Sequence, residues 1–316
     1  MDRPYVIITA CRDEARYARS TLDSVVAQTV LPALWVIVDD GSTDDTPAIL
    51  AEYAARHPFI RVLRRDDRGR RAVGPGVVEA FYAGLETVDL DAYDCLCKLD
   101  LDLRLPPRYF EILLRRMDGD PLLATCSGKP HFPHPETGEL ISEGCGDEMS
   151  VGMTKLYRVD AFRQIGGFVR QVMWDGIDCH RCRMLGWRAA SWEDPEIRFI
   201  HLRPMGSSQN GLWTGRKRHG FGQYFMGTSP LYMVASAAYR TVRPPYLRGG
   251  LGMLVGYFGA WLRGAPQYDD PAFRAFLRRY QRECLLYGKR EATRRIEASW
   301  RERANGAAAG SVAQGD

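Results

Sequence analysis

The sequence has no apolar run of the roughly 18 residues that a membrane-spanning helix needs. Its first residues enter a strand-like run without a signal-peptide pattern, so we expect the protein on the cytoplasmic side. No Gly-x-Gly-x-x-Gly turn follows Ile8 or Val38, which disfavours a Rossmann dehydrogenase. Among eight cysteines only Cys179 and Cys182 have metal-like spacing, and no second pair follows, so we expect reduced, buried thiols.

The chain also has no strong excess of one charge. Its 43 basic and 39 acidic residues give a net charge of +4, which does not indicate a nucleic-acid partner. Basic residues outnumber acidic ones from Arg198 onward, and most acidic clusters precede Glu196, so the two halves are expected to have different partners. With 316 residues, 45% of them hydrophobic, the chain is long enough for one large or two ordinary domains.

An apolar run of strand length, Cys95–Leu99, is followed by two carboxylates, Asp100 and Asp102. Such a run is typical of a buried strand, and open α/β sheets bind ligands at the carboxyl ends of their strands. Carboxylates at this spacing can share a hard divalent cation. A solvated loop pair, or a helix cap before Pro106, would produce the same pattern.

Two further apolar runs, Tyr5–Ala10 and Leu34–Val38, predict strands. The helical pattern between them, with Ser20 or Thr21 as its cap, makes a strand–helix–strand unit with parallel strands. We therefore predict the α/β fold class, with the polar strand ends at one edge of the sheet.

The second run ends in an acidic turn, residues 39–45. Capping of a helix that starts near Thr46 and Pro47 explains the later residues of this turn. It does not explain Asp39 and Asp40, whose like charges repel unless a cation or hydrogen bonds neutralise them.

Three segments in order, Thr9–Glu14, Val38–Asp44 and Leu99–Asp102, closely resemble the family 2 glycosyltransferases. The resemblance implies the GT-A fold, with a mostly parallel Rossmann-like sheet flanked by helices. It also implies an inverting transfer of a sugar from a nucleoside-diphosphate sugar.

The resemblance assigns a role to each acidic motif. Asp40 would contact the nucleotide base, and the Asp-x-Asp pair Asp100 and Asp102 would hold the ribose and a donor-bound Mg²⁺ or Mn²⁺. The family often has Pro and Asn where this chain has Ala10 and Arg12. The residues expected to bind the nucleotide sugar from the first two motifs are Thr9, Ala10, Arg12, Glu14 and Asp40.

A basic loop follows a third predicted strand, Arg61–Leu63. Arg70 or Arg71 is a candidate ligand of the diphosphate, because guanidinium groups suit phosphate oxygens. A solvated charge run is the alternative. A Pro- and Gly-rich loop or hairpin is expected over residues 128–146, where flanking prolines favour an extended surface segment over a metal site at His131 and His134.

A later helix is expected to supply the catalytic base. The family has a Glu-Asp pair at its start, and alignment on Arg181 and Gly186 places Asp175 on the Asp, with Trp174 where Glu usually stands. Asp178 is the rival. An inverting transfer needs a base to take the proton from the acceptor hydroxyl. The alternative role for either aspartate is a helix N-cap.

His201 ends a short predicted strand, and many GT-A enzymes use a histidine in this region on the metal or the diphosphate. A structural histidine is the alternative. The segment 206–220 is flexible and then basic in composition, and Arg216 within it is predicted to close over the diphosphate and exclude water.

Beyond residue 230 the chain becomes apolar and aromatic. The segments 231–242 and 247–262 are too short to span a bilayer, and they predict helices lying in the membrane interface, with arginines reaching the headgroups. Packing on the catalytic domain or on a second subunit is the alternative. We expect a catalytic domain over 1–228, divided near residue 103 into donor and acceptor halves, a helical extension over 229–304 and a disordered tail over 305–316.

Together these observations predict a metal-dependent glycosyltransferase of polysaccharide biosynthesis that acts at the inner membrane face on a glycan or polyprenyl-linked acceptor. Nucleic acid is not expected as a partner, and a homo-oligomer is compatible with the sequence. A sugar nucleotidyltransferase, or a non-catalytic sugar-nucleotide-binding scaffold, are the alternative functions.

Overall fold

The short apolar runs form central strands of a seven-stranded sheet. The computed structural model describes residues 3–67, 69, 74–134, 136–203, 211–241 and 247–312. The strands are β1 (Tyr5–Cys11), β2 (Leu34–Asp39), β3 (Ile60–Arg64), β4 (Cys95–Leu99), β5 (Leu103–Arg104), β6 (Leu123–Gly128), β7 (Pro130–Pro133), β8 (Leu140–Ser142), β9 (Thr154–Arg158), β10 (Arg188–Trp192) and β11 (Phe199–His201).

Helices alternate with the first strands and then dominate the second half of the chain. They are α1 (Ala15–Val26), α2 (Thr46–Arg56), α3 (Pro75–Leu85), α4 (Tyr109–Gly119), α5 (Val159–Gln164), α6 (Trp174–Met184), α7 (Gly211–Met226), α8 (Pro230–Thr241), α9 (Arg248–Leu262), α10 (Pro271–Tyr287) and α11 (Lys289–Val312). Among the described residues, none of these helices combines the length and the apolar character needed to cross a bilayer.

Among the described residues, the seven-stranded sheet has the order β10-β6-β9-β4-β1-β2-β3, and it is parallel where the sequence predicted parallel strands. β1 pairs with both β2 and β4, β2 pairs with β3, and all three pairings are parallel, whereas β9 runs antiparallel to β4 and β6. The predicted α/β class with a mostly parallel sheet is confirmed. Because β1, β2, β3 and β4 run parallel, their carboxyl ends all lie at the same edge of the sheet.

The sheet is covered on both faces. Tyr5, Ile7 and Trp35 belong to a core cluster that includes buried residues of α1, α2 and α4. Side chains alternate along a strand, so Ile8 and Val36 face the opposite side, where they lie against α3. A Cβ at Gly84 of α3 would meet the Ile8 side chain at 2.9 Å, so only glycine allows this close approach.

The start of α1 differs from the prediction. The helix begins at Ala15, so Ser20 and Thr21 lie inside it and do not cap it. The first turn is instead satisfied from the β2–α2 turn, where Asp44 accepts a hydrogen bond from the Ala15 amide at 3.0 Å. Thr21 exchanges hydrogen bonds with the backbone of Leu103 and so ties α1 to the segment after β4.

Of the two expectations for residues 128–146, a loop or a hairpin, the structure has the hairpin, formed by β7 and β8. β7 and β8 form an antiparallel pair in a second, four-stranded sheet of order β5-β11-β7-β8. His131 lies on β7 and is buried, with Nε2 3.2 Å from Glu193, which corrects the expectation of a surface segment there. The prolines are tolerated because they stand at the ends of β7 and not in the middle of a ladder.

The chain divides into two compact units. The first comprises Met1–Cys179 and Ala189–Gly215, and the second comprises His180–Arg188 and Arg216–Asp316. The second unit begins before the helical extension expected from residue 229, because the backbones of α7 and α9 cross closely at Gly220 and Gly256. Its last helix, α11, continues to Val312, within the tail expected to be disordered.

Candidate active site

The predicted nucleotide-binding motifs leave the sheet side by side. Cys11 is the register partner of Asp39, and Ile8 is the register partner of Lys98. The polar residues that follow β1, β2 and β4 are therefore neighbours at one edge of the first unit. This is the edge where α/β sheets bind ligands.

Asp40 lies at this edge beside two arginines. Its Oδ1 accepts a hydrogen bond from Arg65 Nη1 at 2.8 Å, and its backbone oxygen accepts one from Arg12 at 3.1 Å. Arg12 also pairs with Asp67 at 2.5 Å. Arg64 also lies 3.8 Å from Asp39. The arginines therefore offset the repulsion expected between Asp39 and Asp40.

A polar cleft of about 430 Å³ borders the turn that follows Asp40. Gly41 has a positive φ of 76°, and a Cβ there would lie 2.5 Å from the Asp67 backbone, so the turn requires glycine. The cleft is lined by Gly41, Ser42, Thr43, Arg64, Arg65, Asp66 and Asp67.

Asp102 is buried in a cluster of charged side chains. Its Oδ2 accepts a hydrogen bond from Arg203 Nη2 at 2.6 Å, and the same nitrogen donates to Glu14 Oε1 at 2.9 Å. One guanidinium thus bridges carboxylates that follow β1 and β4. His201 Nε2 lies 3.7 Å from Asp102 Oδ2, and its Nδ1 lies 3.0 Å from Glu143 Oε2.

The contacts in this cluster favour the charged forms of its members. Burial alone would lower the pKa of His201, but Asp102 and Glu143 raise it to about 9, so the ring is a cation at neutral pH. Burial alone would raise the pKa of Asp102, but its contacts with His201 and Arg203 lower it below the usual value. The carboxylate is therefore ionised and compensated by two cations.

The residues around Asp102 fit a divalent cation whose other ligands come from a substrate. Asp102 Oδ1 is buried and accepts no hydrogen bond from the described residues. Across the same residues, no three His, Cys, Asp or Glu side chains are grouped as metal ligands. Hard divalent ions often keep waters and take substrate phosphate oxygens, so one or two carboxylates suffice. Asp100 is half-buried and pairs with Lys98.

Asp178 is held inside the first unit by a buried lysine. It is 1% exposed, and Lys155 Nζ donates to both of its oxygens, at 2.7 and 2.5 Å. The Tyr157 hydroxyl donates to Asp178 as well. Burial opposes the charge on Lys155, but Asp178 raises the pKa of the lysine above its usual value, so the ammonium persists.

Asp175 lies one turn earlier on α6 and is less buried. Its carboxylate lies against Gly152, where a Cβ would meet Oδ2 at 2.8 Å, and the Gly152 backbone oxygen accepts a hydrogen bond from Lys98. Lys98 is the partner of Asp100, so these contacts connect Asp175 to the Asp-x-Asp motif.

Two further features distinguish the start of α6, namely the contacts of the Trp174 ring and the backbone conformation of Met173. The Trp174 ring stands 5.2 Å from Lys98 Nζ and 5.6 Å from Lys155 Nζ, so an aromatic face meets two cations where the family has a carboxylate. Met173 has a positive φ of 67°, and Asp13 at the end of β1 has one of 54°. Such conformations in non-glycine residues cluster at functional sites.

The other predicted residues fall in several places. Thr9 is fully buried and accepts a hydrogen bond from the Trp35 indole at 2.9 Å, and Ala10 is partly buried beside it. Arg71 lies outside the described residues. Arg216 belongs to the second unit.

Sequence reasoning missed three basic residues of the site. Lys98 and Lys155 stand inside buried strands, and a lysine within an apolar strand run is a signal that the sequence offered. Arg203 had no comparable signal, because its two partners lie far away in the sequence.

The family model for Glycosyl transferase family 2 matches residues 5–166, about half of the chain. The chain belongs to this family. The matched segment contains the first two motifs, the Asp-x-Asp pair and Lys155.

Curated relatives of this family 2 glycosyltransferase include synthases of polysaccharides. Chondroitin synthase of Escherichia coli is 31% identical over 133 residues, which are 41% of this chain and 17% of that protein. Poly-beta-1,6-N-acetyl-D-glucosamine synthase of Staphylococcus epidermidis is 31% identical over 85 residues, 27% of this chain and 21% of that protein. An uncharacterized protein of Mycobacterium tuberculosis is 40% identical over 77 residues, 23% of this chain and 22% of its own length. The alignments therefore span only about a fifth of these relatives.

Solved GT-A glycosyltransferases share the fold. The mannosyltransferase PcManGT from Pyrobaculum calidifontis, in complex with GDP-Man and Mn²⁺, aligns with a TM-score of 0.52 and 18% identity over 100% of this chain and 80% of its own. TarS 1-349 of S. aureus, in complex with UDP-GlcNAc, aligns with a TM-score of 0.52 and 14% identity over 95% of this chain and 92% of its own. The predicted GT-A fold is confirmed.

Proposed function

We propose that the protein is a metal-dependent, inverting glycosyltransferase that moves a sugar from a nucleoside-diphosphate sugar to a hydroxyl of a glycan or polyprenyl-linked acceptor. The observation that carries the proposal is the cluster at Asp102. A buried carboxylate there keeps one oxygen without a partner among the described residues, at the sheet edge where the donor motifs converge.

The donor extends along this edge from the cleft to Asp102. Asp40 binds the base beside the cleft, and Asp100 binds the ribose. Thr9 and Ala10, at the end of β1, form part of the donor-binding surface together with Arg12 and Glu14. Arg71 and Arg216 are proposed to bind the diphosphate, because guanidinium groups suit phosphate oxygens.

Mg²⁺ or Mn²⁺ would be held by Asp102. Asp100 and His201 do not form a three-ligand group with it among the described residues, so they would become further ligands when the donor and metal bind, with His201 losing the proton that makes it a cation. When bound, such an ion neutralises charge that develops on the departing diphosphate. Glu143 orients the His201 ring through Nδ1 and so directs Nε2 toward Asp102. Arg203 supplies a fixed positive charge next to the same carboxylate.

We assign the base to Asp175 and not to Asp178. Both oxygens of Asp178 take hydrogen bonds from Lys155, and a base needs an oxygen that is accessible to the acceptor hydroxyl. Asp175 is partly exposed and is connected through Gly152 and Lys98 to the metal motif. Its carboxylate would take the acceptor proton as the hydroxyl attacks the anomeric carbon.

The relatives that synthesise polysaccharides support a glycan acceptor, and the apolar helices of the second unit support work at the inner face of the cell membrane. A polyprenyl-linked acceptor would combine a glycan acceptor with a location at the membrane.

The proposal is tested by product analysis. Sugar nucleotides are first screened by thermal shift with and without Mn²⁺, since a true donor stabilises the folded state. With that donor, the protein should release a nucleoside diphosphate, and Asp102→Asn should lower the rate by about 10³-fold or more. The control, Asp91→Asn, removes an exposed aspartate and should change nothing. Release of pyrophosphate would indicate a nucleotidyltransferase, and donor binding without turnover would indicate a scaffold.

A further inference from the structure

Helix α9 has an apolar stripe that faces solvent. Leu247, just before the helix, and Leu251, Val255 and Leu262 are all exposed, Leu262 by 81%. Their spacing of four, four and seven residues places them on one face of the helix. Trp261 is 57% exposed next to this stripe.

Helix α8 carries a shorter stripe of the same kind. Leu231 and Val234 are exposed at helical spacing, Leu231 by 71%, and Tyr239 is exposed near the end of the helix. We call the exposed apolar residues of the two helices the α8–α9 face, and its members are Leu231, Val234, Tyr239, Leu247, Leu251, Val255, Trp261 and Leu262.

Poor packing between the helices does not explain the exposure of the α8–α9 face. The inner sides of the same helices are tightly packed, because a Cβ at Gly250 of α9 would lie 2.5 Å from the Ala237 oxygen of α8. On its α7 side, Gly256 leaves only enough space for the Lys217 backbone. Each helix therefore has one apolar side inside the second unit and another in solvent. Exposed apolar patches of this extent mark interaction sites.

The charge around this face indicates what covers it. Between Arg216 and Tyr268 the sequence has no acidic residue, and Arg248 and Arg263 are exposed at the two ends of α9. A second copy of the chain would bring the same positive charge, which disfavours a symmetric dimer through this face. The basic residues of the stretch are Arg216, Lys217, Arg218, Arg240, Arg243, Arg248 and Arg263.

We propose that the α8–α9 face docks on an anionic lipid surface. The leucines and Val255 enter the boundary between headgroups and acyl chains, while Arg248 and Arg263 contact anionic headgroups. Trp261 and Tyr239 are residue types that favour this boundary. This inference deepens the proposed membrane location and rests on that part of the proposed function.

The test is sedimentation of the full chain with vesicles. Phosphatidylcholine vesicles containing 30% phosphatidylglycerol, on the order of physiological anionic content, should bind the protein, and pure phosphatidylcholine should bind it at least about tenfold less. Raising the salt concentration should weaken binding. The double variant Leu251→Gln/Val255→Gln, and separately Arg248→Gln/Arg263→Gln, should each lower the bound fraction about tenfold.

The matched control is Leu31→Gln/Leu122→Gln, which removes two exposed leucines of the first unit and should leave binding unchanged. Turnover of the donor with a soluble acceptor is measured in parallel, and we expect all these variants to retain it. Loss of lipid binding with intact turnover therefore tests the docking surface alone. Equal binding to both vesicle types would overturn the proposal. A concentration-dependent dimer that the Leu251→Gln/Val255→Gln variant abolishes would overturn it as well.

Discussion

Charge is arranged differently in the two units of the molecule. At the sheet edge of the first unit, Asp40 pairs with Arg65, and Asp102 pairs with Arg203. In the second unit, the stretch from Arg216 to Tyr268 has basic residues and no acidic ones. Paired charges keep a small site ordered before its ligand binds, whereas an excess of one sign attracts an extended partner of the opposite sign. The first arrangement suits a sugar nucleotide and the second suits a lipid surface.

The largest expected effects are those of substitutions at Asp175 and Asp178, the two aspartates of α6 in the first unit. Asp175→Asn should lower kcat by about 10²- to 10⁴-fold, because the acceptor hydroxyl loses its base. Donor affinity should be nearly unchanged, since donor binding is assigned to other residues. Turnover and donor binding by calorimetry are the measurements.

Asp178→Asn is the matched variant, three residues along the same helix. It should lower the free energy of unfolding by about 3–5 kcal/mol, because it leaves the Lys155 ammonium buried without its carboxylate. Urea unfolding measures this loss. If Asp178→Asn were stable but inactive and Asp175→Asn fully active, Asp178 would be the catalytic base and Asp175 would not.

Arg203 tests whether a positive charge on one oxygen of Asp102 weakens metal binding to the same carboxylate. Because Arg203 Nη2 and a divalent cation compete for the same carboxylate, Arg203→Ala should raise the affinity for Mn²⁺ in the absence of donor by about three- to tenfold. Arg203→Lys should stay close to the original affinity. Calorimetric titration with Mn²⁺ measures the change.

The control for Arg203 is Arg198→Ala, which removes an arginine that pairs with Glu193 on the surface. Its Mn²⁺ affinity should not move. Weaker Mn²⁺ binding by Arg203→Ala would instead mean that Arg203 positions Asp102 for the metal.

The sequence predicted the parts of the site that depend on local pattern. Apolar runs fixed the strands, and the acidic residues directly after them, Asp40 and Asp102, lie at the predicted edge. It did not predict Arg203, whose partners Glu14 and Asp102 lie 189 and 101 residues earlier in the sequence. It also left Asp175 and Asp178 as rivals, since the difference between them is the position of Lys155 in β9, a tertiary contact.

The helix start at Ala15 and the burial of His131 on β7 were missed for a related reason. Capping rules consider the residues next to a helix, whereas the Ala15 amide finds its acceptor in Asp44 of another loop. Proline content favours a loop, whereas a short strand tolerates proline at its ends. Local propensity was overruled by partners distant in the sequence in both places.

In the second unit, burial and the positive charges near His219 should make stability depend on pH, with a smaller effect than the changes above. Burial, and then the charges of Arg240 and Arg216, lower the pKa of His219 to about 3. The unfolded chain takes up this proton near pH 6.5, and the folded chain does so only near pH 3. Stability from this group is therefore complete above pH 6.5 and is lost progressively as the pH falls toward 3.

Replacing the histidine should flatten that dependence. His219→Gln removes the titrating group, so its loss of stability between pH 6.5 and 5 should be smaller than that of the unchanged protein by about 1 kcal/mol, because the side chain is partly exposed and solvent screens its neighbours. Urea unfolding at the two pH values measures the difference, with His134→Gln as the control from the first unit. The free energy of unfolding could instead depend on pH identically in His219→Gln and in the unchanged protein. Solvent would then screen the arginines around His219, and the positive charge of the second unit would have a smaller effect in solution than its sequence indicates.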